Sequence, residues 1–478
     1  MATPAEEAKA KGNECFKKKQ FHEAIEHYTA AIELDPSVPA YYTNRAFAYI
    51  KTEGFGAALE DADSALRRNP KFVKAYYRRA TANMGLGKWK ASKRDFEAVL
   101  KVRPNDKDAQ KKFKEVDKIV RRLAFEKAIT VGEAGVKRDV VQIMTEAMEK
   151  MEVKDSYDGP RLDGDITPEF MEELMQHLKD QKKLHIKYAV KILLEVHKLL
   201  SSLPSLVDIT IEEDGKMTVC GDVHGQFYDV LNIFELNGLP SPSNPYLFNG
   251  DFVDRGSFSV EVMLTFFGFR ILYPNHFFLS RGNHESINMN QMYGFFGEVK
   301  AKYTDDLADL FTEVFNWLPL GHLIDNKIFC VHGGLFSEDG VKVDQLRTIK
   351  RNCQPPDHGL MCEMLWSDPQ PMPGRAPSLR GVGTRFGPDI TAAFLDDNDL
   401  KLVIRSHEMK EEGYEIAHDG KCITIFSAPN YCDSMGNKGA FIKLDKRHEP
   451  EIVQFEAVPH PDVKPMAFAG GLSSLLGF

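Results

Sequence analysis

Upstream of about residue 165, apolar residues recur at helical spacing, and one pattern returns three times. Pro36, Pro70 and Pro104 stand 34 residues apart, and Gly12, Ala46 and Ala80 keep the same step. Ala24 and Ala58 recur too, with Ser92 in the third copy, while Tyr28 and Phe96 fill a large position that Ala62 takes in the second. Small residues at fixed offsets let paired helices approach closely, and each pair buries its apolar face only against the next. The pattern predicts three helix pairs over residues 5–106 and a charged capping helix from Lys107 to Arg122. Gly132 to Lys154 is only weakly amphipathic, and Asp155 to Asp165 is rich in Gly, Asp and Pro, so residues 107–155 are expected to cap and link.

Downstream the apolar runs shorten and read as β-strands. Met217 to Cys220, Tyr246 to Phe248 and Phe277 to Leu279 each stop where a glycine turn begins. The turns carry Asp222-x-His224, Asp251-x-x-Asp254-Arg255 and Asn283-His284-Glu285. Ile328 to Val331 runs into His332, and Leu402 to Ile404 into Ser406-His407. In an α/β sheet, loops beyond the carboxyl ends of strands converge on one crevice. Six side chains of this mixed kind (Asp222, His224, Asp251, Asn283, His332 and His407) point to a site for divalent manganese, iron, zinc or magnesium and not calcium. The first three motifs recur at about the length of one βα unit, which a chance scatter of turns does not explain.

Length and composition frame this reading. The 478 residues leave room for two or three domains. A hydrophobic share of 43% with 27% charged residues fits a soluble globular chain. Seven cysteines without a Cys-x-x-Cys spacing suggest reduced thiols and an intracellular, cytoplasmic and nuclear, location. Met1 to Asn13 is polar and is no signal peptide, and Tyr188 to Leu203 is too short and too charged to span a bilayer. The net charge of -9 divides unevenly: residues 1–122 carry about +9, leaving about -18 on the remainder. The basic N-terminal part therefore suits an acidic partner, either another molecule or the acidic remainder of the chain. Nucleic acid is not expected, because no base-stacking motif accompanies the charge.

The 34-residue period resembles that of tetratricopeptide repeats. Lys9, Asn13, Asn44, Lys74 and Arg78, on the first helices of the pairs, match the carboxylate clamp of repeats that bind the acidic C-terminal tail of the ninety-kilodalton heat-shock chaperone. Arginine suits a carboxylate in a fork, and asparagine suits a peptide backbone.

The second region, from about residue 165 to 460, is similar to the metal-dependent serine/threonine protein phosphatases. The resemblance rests on the three loop motifs together with Leu365-Trp366-Ser367-Asp368-Pro369, Arg380-Gly381-Val382 and Ser427-Ala428-Pro429-Asn430-Tyr431-Cys432. Ser280, before Arg281, departs from the apolar residue of many relatives and is expected to stay away from the chemistry. The two resemblances imply an all-α tetratricopeptide solenoid followed by an α/β metallophosphoesterase domain with a central β-sandwich flanked by helices. The catalytic domain is expected over 156–460, with a regulatory tail over 461–478.

The phosphatase resemblance also implies roles. Asp222, His224 and Asp251 would hold one ion. Asp251 would bridge to a second, completed by Asn283, His332 and His407, so that water between the ions becomes a hydroxide nucleophile. Arg255 and Arg380 would grip the phosphoryl oxygens. His284, oriented by Asp254, would protonate the leaving alkoxide, and Asn430 and Tyr431 would overhang the substrate groove. Substrates would be phosphoserine and phosphothreonine proteins. In similar phosphatases the repeats cover the groove, so Glu53, on a turn between repeat helices, is a candidate to reach Arg255 or His284. The tail would secure that closed state through Phe468, Leu472, Leu475, Leu476 and Phe478, and chaperone peptide or acidic lipid would open it. A monomer is expected. A phosphodiesterase or nucleotide hydrolase on the same fold is disfavoured by the Leu-Trp-Ser-Asp-Pro and Ser-Ala-Pro-Asn-Tyr-Cys loops, and an inactive adaptor by the complete ligand set.

Overall fold

The computed structural model describes residues 2–132 and 139–469. Residues 2–132 and 377–382 form one compact unit; residues 139–376 and 383–469 form the other.

In the first unit, Pro4–Lys17 pairs with Phe21–Leu34, Pro39–Lys51 with Phe55–Arg68, and Val73–Gly85 with Trp89–Val102, before a long helix, Lys107–Gly132. This is the tetratricopeptide solenoid. Ala24, Ala46, Ala58 and Ala80 are fully buried, and a Cβ on Gly12 would come within 2.7 Å of the Tyr28 ring. A polar repeat runs beside the apolar one. Arg45 grips both oxygens of Asp61 at 2.9 and 2.7 Å, and one repeat later Arg79 grips Asp95 at 2.8 Å on each side. The third guanidinium nitrogen reaches Thr29 Oγ1 at 2.9 Å in the first case and Asp63 Oδ1 at 2.7 Å in the second. Asp61 and Asp95 are buried, and a forked partner is what makes a buried carboxylate tolerable. The final helix joins the third pair through Lys93 and Asp117, 2.8 Å apart.

The second unit is built on two sheets. One runs Leu206–Ile209, Gly321–Ile324, Ile328–Val331, Leu402–Arg405, Cys422–Ile425 and Tyr414–Ala417 in spatial order. The other runs Glu451–Phe455, Gly439–Asp445, Lys216–Cys220, Tyr246–Phe248 and Phe277–Leu279. Alternation along each strand sorts the core into layers. Met217, Val219, Leu247 and Ile442 meet Ile404 and Ile423 between the sheets. Cys220, Tyr246 and Phe248 turn instead toward the helices Ile186–Ser201, Ser259–Leu272 and Asp305–Asn316. The sheets meet at one end: Gly221 N–H donates to Ser427 Oγ at 2.8 Å, and Asp222 pairs with Phe426. A Cβ at Gly221 would lie 2.1 Å from the Ile425 carbonyl oxygen, so only glycine fits this junction.

One expectation needs adjustment. The unit boundary falls before Asp139, not at residue 155, because the helix Val140–Glu149 belongs to the second unit. Asp139 caps that helix by accepting from Gln142 N–H, and Met144 is buried with Phe170, Leu193 and Phe315. A single ten-residue helix has too few apolar positions for its pattern to reveal which core it joins. The tail residues Leu472, Leu475, Leu476 and Phe478 lie outside the described residues. Ser280 is buried with its Oγ 3.0 Å from His322 Nδ1, and burial pushes His322 down to about 3. A neutral hydrogen-bonded pair thus fills the space of an apolar one, with Ser280 just past the strand Phe277–Leu279 and His322 within Gly321–Ile324. Among the described residues, no helix is long and apolar enough to cross a membrane.

Candidate metal centre

Five strand ends deliver the six candidate ligands, and all six are buried. Asp251 lies in the middle. Its Oδ2 is 3.7 Å from His224 Nε2 and its Oδ1 is 3.4 Å from His332 Nε2. Asp222 Oδ2 stands 3.8 Å from His224 Nε2. Asn283 Oδ1 and His407 Nδ1 approach His332 Nε2 at 2.9 and 3.2 Å. Such spacings between donors are those left by a cation held about 2.1 Å from each. The groups His224–Asp251–His284 and Asp251–His332–His407 each bring their ligand atoms within 4.8 Å of one another, and Asp251 belongs to both.

The electrostatics fit a cation. Burial, reinforced by Asp251, drives the Asp222 carboxyl up to about 7. Burial and then the charge of His284 take His224 down to about 3, leaving a neutral imidazole. Burial also works against charge on His332, but Asp251 and Asp222 outweigh it and raise the ring to about 9. Protons held by a buried cluster of acids and imidazoles are what a divalent ion displaces on binding. The ring orientations are fixed as well. His224 Nδ1 donates to Val253 O at 3.0 Å and His332 Nδ1 to Asn249 O at 2.8 Å, so Nε2 of each faces inward.

Backbone strain concentrates here. His224, Asp251, Asp254, Arg255 and His407 all have φ between 42° and 72°. Non-glycine residues in this region cost roughly 1–3 kcal/mol each and persist only where their surroundings over-determine them. Glu285 supplies much of that constraint, accepting from the N–H groups of Asp251, Phe252 and Gly282 at 2.9, 2.8 and 2.8 Å.

His284 Nδ1 lies 2.8 Å from Asp254 Oδ2. Asp254 is itself held by Phe295 N–H at 2.9 Å and Asn290 Nδ2 at 3.0 Å. Burial opposes charge on His284, but Asp251 and Asp254 more than offset it, so the ring sits above its ordinary value. The Arg255 guanidinium lies 3.7 Å from the centre of the Tyr293 ring, and the Arg255 backbone N–H donates to Tyr293 O at 3.2 Å. Tyr431 reaches the site, its ring 5.1 Å from that of His224. Asn430 shapes the same loop: its φ is 43° and its Oδ1 accepts from Gly436 N–H at 3.1 Å. Arg380 falls in the segment 377–382 that groups with the first unit, so the second unit taken alone does not include it.

Comparison with known proteins places this centre in a family. Residues 215–411 match the calcineurin-like phosphoesterases, 12–52 and 73–106 match tetratricopeptide-repeat families, and 113–208 match a family described as the PPP5 TPR repeat region. The chain is 59% identical over 473 residues to Serine/threonine-protein phosphatase 5 of Homo sapiens, covering 98% of this chain and 94% of that one. Serine/threonine-protein phosphatase T of Trypanosoma brucei brucei is 50% identical, over 98% of each chain. The chain belongs to the serine/threonine-protein phosphatase 5 family. A solved Saccharomyces cerevisiae serine/threonine phosphatase, described as similar to human PP5, is 45% identical with a TM-score of 0.61. That alignment covers 63% of this chain and 99% of the yeast one.

In the repeat unit of this phosphatase, Lys9 and Asn13 stand on Pro4–Lys17, Asn44 on Pro39–Lys51, and Lys74 and Arg78 on Val73–Gly85. Asn13 Oδ1 accepts from Tyr28 Oη–H at 2.8 Å and from Asn44 Nδ2 at 3.3 Å. The Arg78 guanidinium lies 3.5 Å from the centre of the Phe47 ring, and burial lowers it to about 10. Sequence reasoning missed Lys51 and Lys112. Burial comes first in lowering each, and the charge of Arg78 adds to it, so the three cations share one neighbourhood. Glu53 occupies a tight turn at φ 60°, after Pro39–Lys51.

The same reasoning also missed the supports of the metal centre. Asn290 holds Asp254. Buried Arg405, at the end of the strand before His407, donates to Gly333 O at 2.7 Å, just past His332, and to Ser367 O at 3.1 Å, tying its own strand end to the loop after another ligand-bearing strand. Glu285 was within a quoted motif, and its place directly after Asn283-His284 was the available signal. Asn290 and Arg405 carried none, since each acts on groups that are remote in sequence.

Proposed function

We propose that this chain, a serine/threonine protein phosphatase by its family, hydrolyses phosphoserine and phosphothreonine monoesters by direct attack of water, without a covalent phosphoenzyme, at a centre holding two divalent ions. The observation that carries this reading is Asp251, whose two oxygens face His224 on one side and His332 on the other. Asp222, His224 and Asp251 would hold one ion, and Asp251, Asn283, His332 and His407 the second. When bound, such ions supply Lewis acidity toward the phosphoryl oxygens and acidify the water between them. Manganese, iron, zinc and magnesium all suit this mixed donor set.

The remaining residues orient and move protons. With Nδ1 of His284 engaged by Asp254, the proton for the leaving oxygen sits on Nε2. Arg255, stacked on Tyr293, presents a planar fork to two phosphoryl oxygens, and Arg380 is the second arginine of that grip. Tyr431 beside His224, with Asn430 shaping its loop, borders the groove. The test measures metal content of freshly purified protein together with turnover of a phosphoserine peptide and of bis(p-nitrophenyl) phosphate. The expected outcome is about two ions per chain and preference for the monoester. Full activity after stripping the ions, or preference for the diester, overturns it.

The proposal extends to control. The clamp of Lys9, Asn13, Asn44, Lys74 and Arg78, supported by the Asn13–Asn44 contact and the neighbouring Lys51 and Lys112, would take the acidic C-terminal tail of the ninety-kilodalton chaperone. The basic repeats would inhibit the acidic catalytic unit, with Glu53 as the inhibitory residue, and the chaperone tail or acidic lipid would relieve that inhibition. Deleting residues 1–138, which leaves the helix Val140–Glu149 in its core, is expected to raise basal activity several-fold. The chain would act as a monomer in cytoplasm and nucleus.

A further inference from the structure

The stretch Lys464–Ala469 packs against the loop that carries Arg255, and its hydrogen bonds to that loop are made by its own backbone. Met466 N–H donates to Arg255 O at 2.8 Å, while Arg255 N–H is held by Tyr293 O at 3.2 Å. Both peptide groups of a residue at φ 68° are thus held from outside its own loop. Ser257, two residues on, donates its hydroxyl to Lys464 O at 2.6 Å and accepts from Ala467 N–H at 3.1 Å. Its own carbonyl accepts from Lys302 Nζ at 3.3 Å, and that ammonium lies 5.6 Å from the Phe468 ring. The helix Phe295–Lys302 receives the stretch closely: a Cβ on Gly297 would come within 2.1 Å of Phe468 O, and one on Gly294 within 3.6 Å of Ala469.

We propose that Lys464–Ala469 is a brace that positions Arg255 for the phosphoryl group, with Ser257 and Gly297 as positioning residues that seat it. This rests on the reading of Arg255 as a phosphate-gripping residue. Consecutive left-handed residues at Asp254 and Arg255 aim their two side chains in different directions, one to His284 and one over Tyr293. Such a turn relaxes when its outer hydrogen bonds are lost, and a guanidinium displaced by about 1 Å loses its paired contact with two oxygens. The brace therefore acts on binding of the phosphoryl group more than on the proton delivered by His284, which Asn290 and Phe295 hold separately through Asp254.

The experiment uses the full chain with metals supplied and reads inhibition of aryl phosphate hydrolysis by inorganic phosphate. Gly297→Ala expels Phe468 O without touching the phosphate site, and alanine is otherwise favourable within a helix. The expected result is a rise of about tenfold in the phosphate inhibition constant, a matching rise in KM and a smaller change in kcat, with metal content unchanged. In an Arg255→Lys background the same substitution is expected to add little, because the braced group is already altered. Ser257→Ala gives the same reading should Gly297→Ala fold poorly. Release from inhibition by the repeats would move apparent phosphate affinity the other way, toward tighter binding. If Arg255→Lys weakens phosphate but Gly297→Ala and Ser257→Ala do not, or if the effects add fully, the brace is refuted and the reading of Arg255 stands. If Arg255→Lys leaves phosphate inhibition unchanged, that reading fails and the brace with it.

Discussion

In the repeat unit, Asn13, Asn44 and Arg78 stand on regular helices, and the scaffold beneath them repeats: Arg45–Asp61 returns as Arg79–Asp95. In the catalytic unit, His224, Asp251, Asp254, Arg255 and His407 stand on loops at φ from 42° to 72°, and no two of their supports are alike. The first arrangement positions side chains through helix geometry, so each contact is local and each repeat is replaceable. The second forces backbone into costly conformations, so every site residue depends on partners brought from far along the chain. Glu285, Asn290 and Arg405 are those partners. A helical face that presents a few polar side chains tolerates the first kind of precision; a cluster of buried, mutually close ligand groups needs the second.

The contrast predicts where substitutions act sharply. The largest effect is expected at Asp251. Asp251→Asn removes a charge shared by both halves of the centre, and turnover is expected to fall by about 10³-fold or more, with loss of bound metal by elemental analysis. Retention of both ions would show that Asp251 is not the shared ligand. His284→Asn is expected to lower phosphopeptide turnover by about 10² to 10⁴ with metal content intact, and to matter less for aryl phosphates, whose leaving groups need no proton. Loss of metal in that variant would move His284 from proton donor to ligand.

Effects in the repeat unit are expected to be smaller. Arg45→Ala leaves Asp61 buried without its fork and should cost about 2–3 kcal/mol, read as an earlier unfolding transition of that unit in calorimetry of the full chain. The double change Arg45→Met with Asp61→Leu should recover most of that loss; failure to do so would mean the pair is more than a satisfied buried charge. Smallest is Lys74→Glu, expected to weaken a tail peptide rich in carboxylates by about tenfold while leaving phosphatase turnover unchanged. Equal peptide affinities before and after would remove Lys74 from the clamp.

How much of each unit could be read in advance follows the same division. The repeats announced themselves through proline phase and small residues, because a fixed period leaves a fixed mark in sequence. Their buried arginine–aspartate pairs share that period and were overlooked, hidden among many charges of the ordinary solvated kind. The catalytic strands were read from runs such as Tyr246 to Phe248 and Phe277 to Leu279, which match the observed strands residue for residue. The helix Val140–Glu149 reads in sequence as part of a linker, since nothing local says which core Met144 enters.

The residue types themselves determined the chemistry that this chain offers: carboxylates, imidazoles and an amide after successive strands, which suit transition-metal ions wherever those strands are gathered. Only the fold decided that Asp251 stands between His224 and His332, that Glu285 holds three backbone donors, and that Met466 closes on the carbonyl of Arg255. The physical reason is that these are relations between backbone groups and side chains far apart in sequence. Their energies depend on distance and direction in space, which no spacing along the polymer records.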